Sequence, residues 1–226
     1  METNHFLWIA LGFILLTLLC LGAIVWALMT LSRSFKSAAH FLRIVGLWLL
    51  LISGTALTGF TQNFSVFPLN ALIILLPPMI ALIVLVFNQR FKQFLGGVPL
   101  RWLTGIQFFR VIVEIFLWQL YEIGLIPVQM TFEGQNFDIL AGLTAPIFAY
   151  FYGNKPRVLF WWNIAGMLLL INIVGTAILS MPTPIRVFMN EPANTIVTYF
   201  PIIWLPAFLV PLAYYMHILS LKKILQ

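Results

Sequence analysis

The sequence predicts an all-α, polytopic membrane protein: a bundle of seven transmembrane helices with its N-terminus outside and its C-terminus in the cytoplasm. Three observations predict it: few charges, seven long apolar runs, and basic residues in alternate loops. Of the 226 residues, 62% are hydrophobic and only 8% are charged. A soluble domain carries about 25% charged residues. We therefore expect most of the surface to face lipid.

The apolar runs have the length that a bilayer requires, which is roughly 20 residues for a helix. Their approximate bounds are 6–31, 41–60, 68–87, 104–126, 137–152, 158–180 and 196–220. The fifth run is the shortest. No basic region precedes the first run, which is also longer than the apolar part of a signal peptide, so we expect it to stay as a helix. The short loops leave no room for a soluble domain, and we predict a single transmembrane domain over 1–226.

The orientation follows from the basic residues. Ten of the 12 lie in segments 32–43, 88–103 and 153–157 and in the C-terminal tail, whereas Arg186 lies on the other side and Arg110 inside a run. Cytoplasmic loops are enriched in Lys and Arg, so we expect these segments in the cytoplasm. The predicted location is the plasma membrane, as a multi-pass protein of a bacterial inner membrane. Scattered basic residues favour a lipid bilayer as the partner and not nucleic acid.

The fourth run holds the charged residues found inside a span. An ionisable group in mid-membrane costs several kcal/mol unless it is paired or hydrated, so this polar face should point into the bundle, with Arg110 paired to Glu114. Two interpretations stay open: a charge pair that fixes helix packing, or a site for a cation, a proton or a polar ligand. Spacings of three or four residues put the candidate ligand-binding residues on one helical face, namely Gln107, Arg110, Glu114, Tyr121 and Glu122.

Polar residues of the predicted outer loops form a second candidate group. Asn136 suits the N-cap of the fifth helix, and Asp138 suits its first turn, where a carboxylate meets the positive end of the helix dipole. The alternative is an external ligand site. The candidates for that site are Glu133, Asp138, Arg186 and Glu191.

Histidine and cysteine positions lead us to expect no metal and no cofactor. The chain has one Cys and no CxxC motif, and its three His are scattered, with His217 ending the last run. Lys222 and Lys223 lie beyond that run, which disfavours a retinal pigment. The amides expected to form hydrogen bonds between helices are those of Asn70, Asn163 and Asn172.

Short sequence matches predict an internal repeat. Residues 73–77 read Ile-Ile-Leu-Leu-Pro and residues 202–206 read Ile-Ile-Trp-Leu-Pro, while Gly-Thr-Ala occurs at both 54–56 and 175–177. These matches divide the runs into three, one and three, with parallel halves. In topology alone this resembles the sugar-transporting SWEET proteins, whose Pro-Gln signature is absent here. Parallel repeats with interrupted helices are a feature of transporters.

These observations favour small-solute transport or solute binding within the bundle, with a small polar solute as the partner. Two alternatives remain. The chain could be a structural subunit of a membrane complex, with a membrane protein partner. It could instead be a lipid-modifying enzyme that uses Glu133 and Asp138, although the sequence favours a role without catalysis.

Overall fold

Helices account for the regular structure of the described part of the chain, and six helices within that part are long and apolar enough to cross a membrane. The computed structural model describes residues 2–32 and 35–226, so Arg33 of the predicted basic segment lies outside it. No β-strand occurs within those two ranges. The helices are α1 Glu2–Ser32, α2 Phe35–Leu57, α3 Leu69–Phe87, α4 Gln89–Gly97, α5 Leu100–Gly105, α6 Phe109–Glu122, α7 Ile139–Tyr152, α8 Pro156–Leu179 and α9 Val210–Ile224. The prediction of an all-helical, multi-pass membrane protein is confirmed.

The six long helices coincide with six of the seven predicted runs. α5 continues through a 3-10 turn into α6, and together they form one helix over Leu100–Glu122. A π-helical segment, Leu205–Leu209, continues into α9, so the last long helix covers Leu205–Ile224. The fifth run differs, because α7 has only 14 residues. At 1.5 Å per residue it is about 21 Å long, which is less than the roughly 30 Å of a hydrocarbon core.

α7 is short because the chain before it is folded into the bundle as a segment without α-helix, which contains one 3-10 turn at Val128–Met130. We call residues 123–138 the inserted segment. A Cβ on Gly134 would lie 2.6 Å from the Cα of Gln129, so this turn closes only around glycine. Backbone without regular helical hydrogen bonds is tolerated inside a membrane where protein surrounds it. The buried residues of the inserted segment include Gln129, Met130, Thr131, Asn136 and Asp138.

The central helices and the peripheral helices differ in how much of their apolar surface is exposed. The central group contains α5, α6, α7, α8 and α9, in which α8 packs along α9 and α7 contacts both α6 and α8. α1 packs against α6 and α2. α2 and α3 lie at the periphery and contact the π-helical segment. Most of their surface is exposed and apolar, as expected for helices that face lipid.

The prolines of the last long helix are accommodated by side chains from α2. Pro211 has no N–H to donate to the carbonyl of Ala207, four residues earlier. The indole N–H of Trp48 donates to that carbonyl instead, at 3.0 Å. A second bond joins the same helices, from the indole N–H of Trp204 to the Ser53 hydroxyl at 2.9 Å. α2 therefore stabilises the interrupted helix.

We expect Trp48→Phe to lower the stability of the folded protein by about 1 kcal/mol, the usual size of an interhelical hydrogen bond in a membrane. The phenyl ring keeps most of the packing but leaves the Ala207 carbonyl without a donor. Thermal unfolding of the detergent-purified protein measures the effect. Trp161→Phe is the matched control, because Trp161 is 70% exposed. Equal melting temperatures for the two variants would contradict the prediction.

The two matched segments of the predicted repeat differ in local structure. Residues 73–77 lie within the regular helix α3, whose Pro77 and Pro78 are both internal. Residues 202–206 form a turn that enters the π-helical segment. The three-one-three repeat therefore remains a prediction from sequence.

α4 is a short helix that the run pattern missed. It begins after Asn88, whose side chain accepts the Phe91 N–H at 3.0 Å and so caps the helix. At its other end, the Lys223 ammonium donates to the carbonyls of Leu95 and Gly96 at 3.1 and 2.5 Å. This contact joins α4 to the end of α9, at the end of the bundle where the basic residues lie.

Candidate functional site

The centre of the bundle contains a buried ion pair between Arg110 on α6 and Asp138 at the start of α7. Arg110 is 2% exposed, and its Nε donates to Asp138 Oδ2 at 2.7 Å. Nη2 donates to Oδ1, so both carboxylate oxygens are engaged. The sequence-based pairing of Arg110 with Glu114 is therefore wrong. The reason is the inserted segment, which brings Asp138 to the level of Arg110.

The remaining guanidinium hydrogens of Arg110 extend this pair towards α8 and α9. Nη1 lies 2.9 Å from Nε2 of His217. Because arginine only donates hydrogen bonds, we assign Nε2 as the acceptor and Nδ1 as the protonated nitrogen, which donates to Asn163 Oδ1 at 2.8 Å. Asn163 then donates to the Ser220 hydroxyl at 2.9 Å. We call Arg110, Asp138, His217, Asn163 and Ser220 the Arg110 network.

Two glycines allow the helices to approach closely around the Arg110 network. A Cβ on Gly166 of α8 would collide with the imidazole ring of His217. A Cβ on Gly142 of α7 would lie 2.8 Å from the backbone nitrogen of Val111 on α6. Small residues at such crossings are how membrane helices bring their backbones together.

Glu114 lies one turn from Arg110 and is 2% exposed. Its Oε2 accepts a 2.6 Å hydrogen bond from the Asn136 amide, which also donates to the Met130 carbonyl at 3.0 Å. Asn136 Oδ1 accepts the Asp138 N–H at 3.1 Å. Asn136 thus links the two carboxylate residues and is not the N-cap that the sequence suggested. Asp138 directly precedes α7, and its carboxylate binds Arg110 and caps no helical N–H.

Glu114 lines a cleft. Oε1 accepts no hydrogen bond from any residue that the structure describes, whereas Glu114 and Asp138 both line a cleft of about 90 Å³. The cleft lies between α3, α6, α8 and the π-helical segment. All its other described lining residues are apolar, and they include Ile74, Leu75, Leu170, Val174, Ala177 and Pro206.

The charges of this site do not balance. The Arg110 guanidinium forms its ion pair with Asp138, and Glu114 has no ion-pair partner among the described residues. The ring of His217 adds no cation here, since its Nε2 accepts from Arg110. A buried carboxylate without a partner costs several kcal/mol unless it gains a proton or a cationic or hydrogen-bonding partner. Glu114 is therefore the group with capacity left for a ligand.

The other residues predicted on this helical face lie outside the Arg110 network. Gln107 is buried and donates to the Ala213 carbonyl on α9 at 3.1 Å. Tyr121 is half-buried, and Glu122 is exposed at the end of α6. Of the five candidate ligand-binding residues, only Glu114 lines the cleft, while Arg110 binds Asp138, which also lines it.

The four candidates of the predicted outer loops do not form one group. Asp138 belongs to the Arg110 network. Arg186 forms an ion pair with Glu191 at 3.0 Å. Glu133 accepts a hydrogen bond from the Trp118 indole at 2.8 Å. Arg186 and Glu191 therefore bind each other, whereas Glu133 and Asp138 each bind another residue.

Sequence reasoning missed the central position of His217 and the role of Asn136. A signal was present in the polar residues spaced three apart, His217 and Ser220 on α9. The prediction for Asn163 is confirmed, since its amide bonds α8 to α9. The amides of Asn70 and Asn172 instead donate to loop carbonyls, those of Thr61 at 3.3 Å and Gln135 at 2.7 Å.

Comparison with known proteins gives a family but no described activity. The family model described as "Domain of unknown function (DUF8737)" matches residues 66–225. This range is more than half of the 226 residues, so the chain belongs to that family. The match includes α3 to α9, the Arg110 network and the cleft. No curated protein and no solved structure matches the chain.

Proposed function

We propose that this member of the DUF8737 family binds a small solute inside its helix bundle, as a transporter or a solute-binding protein, and that Glu114 holds the solute. One observation carries the proposal. Glu114 is a buried carboxylate with a free oxygen on the wall of a cleft, and the nearby cation is already paired with Asp138. Ionisable groups at such depth mark solute or ion pathways in many membrane proteins.

We further propose seven spans in the plasma membrane, with the N-terminus outside and the C-terminus in the cytoplasm. α7 and the inserted segment together make up the fifth span. The arrangement of the basic segments supports this topology. A Cβ on Gly153 would lie 2.8 Å from Cβ of Arg101, and Lys223 binds the end of α4, so three basic segments meet at one end of the bundle. That end is cytoplasmic by the positive-inside rule.

The site favours a solute that carries a cation or a hydrogen-bond donor. Both oxygens of Asp138 and Oε2 of Glu114 already accept hydrogen bonds, whereas Oε1 of Glu114 accepts none from the described residues. An anionic group placed there would face two carboxylates in a site that is shielded from water. A neutral or cationic donor instead supplies the missing partner.

The geometry gives less support to the two alternatives. A lipid-modifying enzyme that used Glu133 and Asp138 together would need the two carboxylates to act on one substrate, yet they bind Trp118 and Arg110 respectively. A purely structural subunit would not need a carboxyl group on the wall of an apolar cleft. If no solute binds, the structural alternative becomes the better one.

The test is thermal unfolding of the purified protein with a panel of amines, amino acids, sugars and carboxylates. A solute at 100 times its Kd stabilises the folded state by about 2.7 kcal/mol, or roughly 5–10 °C for a chain of this length. We expect a stabilising solute to act on the wild type and on Glu122→Gln, and not on Glu114→Gln. Glu122 is the matched control because it lies exposed on the same helix.

Two results would count against the proposal. A solute that stabilises Glu114→Gln as strongly as the wild type would show that it binds elsewhere. A folded wild type that responds to no solute in the panel would favour the structural subunit, and the next step would be to isolate a stoichiometric partner.

A further inference from the structure

We infer that the solute is a single-chain amphiphile with a primary ammonium head, and that it enters from the lipid through the opening of the cleft between α3 and α8. This inference rests on the proposed function. It adds the chemical class of the ligand and its route to Glu114.

The distribution of polar atoms in the cleft supports an amphiphile. The inner wall is formed by α6 and the start of α7 and carries Glu114 and Asp138, which are 2% and 5% exposed. The rest of the described lining is apolar and comes from α3, α8 and the π-helical segment. A ligand that suits this cleft places one polar end against the inner wall and directs an apolar chain outwards.

The outer rim of the cleft lies on the lipid-facing surface. Leu75 of α3 and Ile178 of α8 line the cleft and are partly exposed. Their neighbours Leu76 and Ile171 are 48% and 55% exposed, as expected for side chains that contact lipid. α3 packs against α9 and the π-helical segment, whereas α8 packs against α9 and α7. The gap between α3 and α8 therefore opens into the apolar surface of the bundle.

The charge of the inner wall selects the head group. Two carboxylates line it, and the guanidinium of Arg110 is held by Asp138. A phosphate or carboxylate head would meet like charge with no free cation among the described residues of the wall. An ammonium group supplies a donor for Oε1 of Glu114 and a positive charge that pairs with this carboxyl group when it is ionised.

The experiment uses the full chain in phosphatidylcholine nanodiscs with three probes: butylamine, dodecylamine and dodecanoate. Ala177→Phe fills the cleft, and Ala165→Phe, at an exposed position on the same helix, is the matched control. We expect dodecylamine to raise the melting temperature of the wild type and of Ala165→Phe, and dodecanoate to have no effect. Ala177→Phe should weaken dodecylamine binding by at least about tenfold, since the added ring occupies the space of the alkyl chain and overpacking of a filled site is costly.

The outcomes separate the two proposals. If butylamine stabilises the protein in a Glu114-dependent way but Ala177→Phe leaves dodecylamine binding intact, the proposed function stands and the amphiphile inference is wrong. Stabilisation by dodecanoate equal to that by dodecylamine overturns the ammonium head. If Glu114 binds another solute from the wider panel and neither amine, the amphiphile inference is also overturned. If no solute stabilises the protein, the proposed function is wrong as well.

Discussion

Arg110→Met is expected to destabilise the protein by about 3–5 kcal/mol, the usual cost of removing one partner of a buried ion pair. The substitution leaves Asp138 and Glu114 as buried carboxylates with no cation beside them. It also removes the donor to His217 Nε2. For a chain of this length the loss corresponds to a drop in melting temperature on the order of 10 °C. Thermal unfolding in detergent measures it.

The control for this prediction is Arg157→Met, because Arg157 is exposed on α8. Exposed substitutions of this kind usually change stability by about 0.5 kcal/mol or less. The double variant Arg110→Met with Asp138→Leu should recover part of the loss, since replacing a whole buried pair by apolar groups is often neutral. If Arg110→Met and Arg157→Met have the same melting temperature, the assignment of a central ion pair is contradicted.

Gly166→Ala is expected to destabilise the protein by about 1–3 kcal/mol through overpacking. The new methyl group would collide with the His217 ring, which is held between Arg110 and Asn163. Relief of the collision requires either loss of these hydrogen bonds or separation of α8 from α9. The effect is measured as a lower melting temperature of the purified protein.

Gly175→Ala provides the comparison on the same helix. A Cβ on Gly175 would have no atom within 4 Å outside its chain neighbours and the backbone of its own helix. An alanine there should leave stability unchanged or raise it by up to about 1 kcal/mol, because alanine has the higher helix propensity. If Gly166→Ala proves as stable as Gly175→Ala, then α8 and α9 are not in close contact at His217.

The candidate site shows what could be predicted from residue patterns. The spacing of Arg110 and Glu114 placed them on one buried helical face, and both are indeed 2% exposed. The partner of Arg110 could not be predicted in this way, because helical spacing describes contacts within one helix. Asp138 lies 28 residues away, and only the inserted segment brings it to Arg110. His217 lies 107 residues away and reaches Arg110 through the packing of α9.

The inserted segment also explains why the fifth apolar run differs from the others. Its short length was visible in the sequence, but a short run is compatible with a helix that extends into the following loop. In the structure α7 ends at Tyr152, and the missing length precedes it as an irregular segment whose 3-10 turn, Val128–Met130, packs against α6 and α8. Long-range hydrogen bonds decide this, such as the bond from Gln129 to Ser180 at 2.9 Å.

By itself, the sequence determined that the chain forms apolar helices and that α6 carries a buried polar face. These properties follow from local composition and period, because each helix satisfies its own backbone and because charge is costly in lipid. Tertiary structure alone decided that Arg110 pairs with Asp138 and that Glu114 keeps a free oxygen in an apolar cleft. Ion pairs and cavities arise where separate helices meet, and the positions of these contacts depend on packing across the whole bundle.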